Sequence, residues 1–67
     1  MDVRRRVGLN VKRLREAQGI SQEDLADRAG VHRTYVSGVE RGVRNPTITV
    51  LEKIAGALGE PLAELVG

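Results

Sequence analysis

Val3, Val7, Val11 and Leu14 follow one another at spacings of four, four and three residues. Such a pattern places them on one stripe of a helix. It predicts a first helix over 2–17, stopped by Gly19. Leu9 lies on the opposite side, and the stripe does not explain it. Leu25 and Ala29 share one face of a second helix, with Ser21 as its N-cap and Ile20 placed to staple onto Leu25. Gly30 ends this helix, and Ala26 is small where another helix can approach. Val36 and Val39 then anchor a third helix over 32–41, which stops at Gly42. Its outward row is His32, Arg33, Thr34, Ser37, Gly38 and Arg41, which is polar and partly cationic. Residues 43–46 form a loop, because Pro46 disfavours helix at Asn45. Thr47 caps a fourth helix carrying Ile48, Leu51, Ile54, Ala55 and Leu58 on one face, ended by Gly59. Pro61 opens a final turn or two with Leu62, Leu65 and Val66. The expectation is an all-α fold: one domain over 1–67, a compact bundle of about five short helices.

Composition narrows the function classes. A 67-residue chain buries only about 60% of its unfolded surface, which leaves no scaffold for a deep catalytic cleft. Cysteine is absent, so neither a disulfide nor a thiolate–zinc site staples the fold. Phe and Trp are absent and Tyr35 is the only aromatic residue, so the core is aliphatic. His32 is the only histidine, and no carboxylate cluster near it completes a metal site. Ser21 or Ser37 with His32 and an Asp lacks the oxyanion hole and cleft of a triad. No enzyme, metal or cofactor is expected. The apolar run behind Arg4, Arg5 and Arg6 is broken by Asn10 and Lys12, too short for a signal peptide. No stretch approaches the ~20 apolar residues of a membrane span. A cytoplasmic location is expected.

The net charge is +2, but it is unevenly spread. Residues 1–44 hold ten Lys/Arg against six Asp/Glu, and residues 45–67 hold one against three. The basic part contains the paired helices over 21–41, as an electrostatic footprint for phosphates would. Two short helices joined by a tight turn, the second with a short polar and cationic outer row, suit insertion into the DNA major groove.

Three strings carry a family resemblance: VKRLREAQGISQEDLADRAGV, RTYVSGVERG and RNPTITVLEKIAGALG. In this order and spacing the chain resembles the phage repressor and Cro family of helix-turn-helix proteins, also called XRE-type. RTYVSGVER is also similar to the controller proteins of restriction–modification systems. The resemblance implies a lambda-repressor-like domain that binds operator DNA as a homodimer and regulates transcription. It implies that His32, Arg33, Thr34, Ser37 and Gly38 face bases or nearby phosphates. Gln22 would bond a phosphate and brace the recognition helix, and Arg41, Arg44 and Asn45 would contact the backbone. Gly38 stands where many relatives carry a long polar side chain, so readout leans on Arg33 and Thr34. Arg15 and Glu40 match a structural ion pair between the first and third helices. Tyr35 either touches the DNA backbone or covers the edge of the core. The apolar residues around Leu58, Leu62, Leu65 and Val66 supply either a dimer surface or simply core. A second reading is an antitoxin-like interaction module. It would need a neutralising segment, which is not expected after Gly67.

Overall fold

The computed structural model describes residues 2–67. Five helices follow one another: α1 Val3–Ala17, α2 Gln22–Ala29, α3 Arg33–Glu40, α4 Ile48–Leu58 and α5 Leu62–Val66. The starts of α1, α2 and α4 are fixed by side-chain caps. Asp2 accepts from the Arg4 amide at 2.8 Å, Ser21 from the Asp24 amide at 3.0 Å and Thr47 from the Val50 amide at 3.2 Å. Each bond occupies an amide that the helix itself leaves unpaired, worth about 1 kcal/mol. Arg4 also bonds the Asp2 side chain, and this contact holds the Asp2 carboxyl below the usual carboxylate range.

The turn between α2 and α3 is set by Gly30, at φ 71°. Its amide donates to Asp27 O at 3.3 Å, and the Val31 amide donates to Ala26 O at 3.0 Å. This is a Schellman closure, and Val31 packs back on the core as that motif favours. After the turn α3 packs against α2, and both helices share the core.

That core takes residues from every helix. Val11, Val36, Ile54, Leu25 and Leu65 have no exposed surface. α1 packs on α3 and α5, α2 on α3 and α4, and α4 on α5. At the crossing of α1 with α3, Gly8 is buried. A Cβ there would lie 2.7 Å from the Glu40 carbonyl oxygen, so the two backbones meet where a side chain is missing. Asn10 Nδ2 donates to Leu65 O at 2.9 Å and ties α5 to α1. Gln18 Nε2 donates to Leu58 O and closes the other end.

Several expectations need correction. Val3 and Ile48, assigned to apolar stripes, are 54% and 61% exposed. Both are the first residues of their helices and border an open hollow instead of the core. Of the two readings left open for the C-terminal apolar residues, Leu58 and Leu65 take the core one. Leu62 and Val66 are partly buried against the same core. His32 and Arg41, expected inside the third helix, are its caps.

Candidate nucleic-acid interface

α3 is two-sided. Val36 and Val39 are 0% and 1% exposed, fastening the inner side. On the outer side Arg33, Thr34, Ser37 and Arg41 line one open concavity of about 210 Å³. Counted from Arg33, the first residue of α3, to its C-cap Arg41 these are positions i, i+1, i+4 and i+8, the spacing that gathers side chains along one face. Arg41 folds back along the helix, with Nε 3.4 Å from Ser37 O. Arg33 also borders a second polar concavity, of about 430 Å³, with Arg15, Ser21, Gln22 and Glu23. It therefore stands between the outer face of α3 and the start of α2. Ser21 and Glu23 were not among the expected site residues. His32 is exposed at the α3 N-cap position, and its side chain makes no capping bond.

Beneath the second concavity lies a shared carboxylate. Glu40 accepts from Arg15 Nε at 2.7 Å through Oε2 and from Arg15 NH2 at 3.0 Å through Oε1. Gln22 Nε2 donates to the same Oε1 at 3.0 Å, and Arg15 NH1 donates to Ile20 O at 2.9 Å. The Glu40 side chain is 3% exposed and that of Arg15 12%. Hydrogen bonding to Glu40 raises the Arg15 pKa further above its already high value. The expected ion pair is therefore present. Gln22 braces α3 through Glu40, with one amide hydrogen still free for another acceptor.

Gly38 departs from expectation. It is buried rather than part of the outer row. The Val43 and Arg44 amides both donate to its carbonyl, at 3.0 and 3.2 Å, which folds the loop after α3 back onto the helix. The Arg44 side chain then lies across Gly38, and its guanidinium sits 5.6 Å from the centre of the Tyr35 ring. Tyr35 is partly buried against the core. Asn45 lies elsewhere, on the rim of an apolar hollow of about 220 Å³ bordered by Val3, Val7, Ile48, Leu51 and Val66. Sequence periodicity assigns a helical residue to a side. It carries no information on whether a later loop returns to cover that side.

Residues 11–65 match the family model described as helix-turn-helix. The uncharacterised HTH-type transcriptional regulator y4dJ of Sinorhizobium fredii is 47% identical over 66 residues, 98% of this chain and 86% of the relative. Control protein C.SmaI of Serratia marcescens is 39% identical over 98% of this chain and 79% of its own. Among solved structures, the restriction–modification controller protein C.AhdI of Aeromonas hydrophila superposes with a TM-score of 0.91. It is 44% identical over 92% of this chain and 94% of its own. With the α2–turn–α3 unit formed and the match running through nearly the whole fold, the chain belongs to the XRE-type helix-turn-helix family.

Proposed function

We propose that this protein is a sequence-specific, double-stranded DNA-binding transcriptional regulator that reads a near-palindromic operator as a homodimer. The observation that carries the reading is the outer face of α3, where Arg33, Thr34, Ser37 and Arg41 converge in the open above a valine pair with almost no exposure. α3 enters the major groove, and α2 lies across the backbone. Arg33 bonds guanine O6 and N7 together, the commonest specific pairing. Thr34 and Ser37 supply hydroxyls and a methyl to neighbouring base edges, and His32 reaches a base or phosphate at the helix start. Gln22, Tyr35, Arg41, Arg44 and Asn45 serve the backbone. Gly38, lying under Arg44, is not a contact residue. Its relatives, a phage phi105 immunity repressor among them, support the regulatory role.

The apolar hollow between Val3, Ile48 and Val66 is the surface for the second copy. Val66, one of the expected C-terminal residues, lines it, whereas Leu58 and Leu65 are core. Selection of bound sites from random duplex DNA tests the whole reading. Recovered sites should contain two inverted half-sites centred about one helical turn apart. Recovery without any shared motif would overturn sequence-specific binding.

A further inference from the structure

We propose that Gly38 is a positioning residue: its missing side chain seats Arg44 on α3, so that the loop delivers to the reading surface the side chain that position 38 lacks. This rests on the DNA-binding reading above. Three observations converge. The Gly38 carbonyl accepts from both the Val43 and the Arg44 amides, so the start of the arginine stem is fixed beside the glycine by backbone bonds. A Cβ on Gly38 would overlap the Arg44 Cγ and lie 3.3 Å from Nε and 3.4 Å from Cδ. The stem thus runs through the space a side chain would take. At its far end the guanidinium meets Tyr35, which is three residues before Gly38 and so on the same helical ridge. A cation over an aromatic face is attracted by the ring quadrupole.

Neither backbone strain nor any protein neighbour other than Arg44 requires glycine at this position. Gly38 is not among the residues with positive φ, and the three nearest atoms to its added Cβ all belong to Arg44. Glycine inside a helix is less stable than alanine. Seating Arg44 offsets that loss with a functional gain. The guanidinium is held along α3 instead of being free in solvent, so less side-chain freedom is lost when it meets a phosphate.

The experiment is a double-mutant cycle on the selected operator duplex, with affinity measured from about 50 to 200 mM salt. Wild type is compared with Gly38→Ala, Arg44→Ala and the double variant. Arg44→Ala should weaken binding about three- to tenfold and flatten the log–log salt slope by about one. Gly38→Ala should reproduce most of both effects while melting no lower than wild type. In the Arg44→Ala background, Gly38→Ala should change nothing further. Gly38→Ser, with the same Cβ and a polar tip, should behave as Gly38→Ala does. Wild-type affinity for Gly38→Ala, or effects of the two substitutions that add in full, would overturn the proposal alone. Failure of wild type to bind any duplex would overturn the DNA reading beneath it.

Discussion

Glu40 concentrates more of the molecule's organisation than any other polar residue. Its carboxylate joins α1 through Arg15, the start of α2 through Gln22, and α3, in which it resides. Removing one partner of a buried pair costs up to about 3–5 kcal/mol, and less here because Arg15 also lines an open concavity where water can reach it. A domain this small holds only about 3–5 kcal/mol in all, so Glu40→Ala should still lower the thermal melt clearly. Glu52→Ala, on the exposed side of α4, should stay within about 0.5 kcal/mol of wild type. Circular dichroism melts of both variants decide the matter, and equal melting would show that the pair contributes nothing. The pair was legible only through family resemblance, because its partners lie 25 residues apart and no local pattern links them. Arg33, Thr34 and Ser37 were legible from helical spacing alone. The seat of Arg44 was not, since it depends on where a loop returns.

At the scale of elements, boundaries were readable because local chemistry sets them. Asp2, Ser21 and Thr47 fill the cap positions with bonds to the next turn, and glycines close the ends. Depth of packing was less readable, as the exposure of Ile48 on an expected apolar stripe shows. The α1–α3 crossing gives a test in which packing opposes helix propensity. Gly8→Ala gains about 0.8–1 kcal/mol of propensity, but its Cβ meets the carbonyls of Val39 and Glu40. Rigid backbone cannot yield as a side chain does, and overpacking costs about 1–3 kcal/mol. The net should be destabilising. Gly56→Ala in α4 is the counterpart, because its added Cβ meets nothing within 4 Å. There propensity acts alone, and stability should rise by about 0.5–1 kcal/mol. Denaturant melts should therefore shift in opposite directions for one and the same substitution. A parallel shift would mean that the crossing of α1 with α3 is not tight.

The whole molecule measures 27 × 22 × 21 Å, whereas successive major grooves on one face of DNA recur about every 34 Å. If two copies read adjacent grooves as proposed, bodies of this size come close enough to touch, and the shared duplex assists their association. Binding of the first copy raises the local concentration of the second, and modest contact then yields large avidity. The hollow bordered by Val3, Ile48 and Val66 suits such a contact. It adjoins Asn45 and Pro46 in the loop after α3, and Val3 and Ile48 are more than half exposed. Removing the apolar surface without adding charge isolates its role. The pair Val3→Ser and Ile48→Ser should leave affinity for a single half-site unchanged and the fold intact, since neither side chain is in the core. Binding to the full operator should lose its steep concentration dependence, and free dimers should become rarer in sedimentation. Undiminished cooperativity in the double variant would place the two-fold contact on another edge of the bundle.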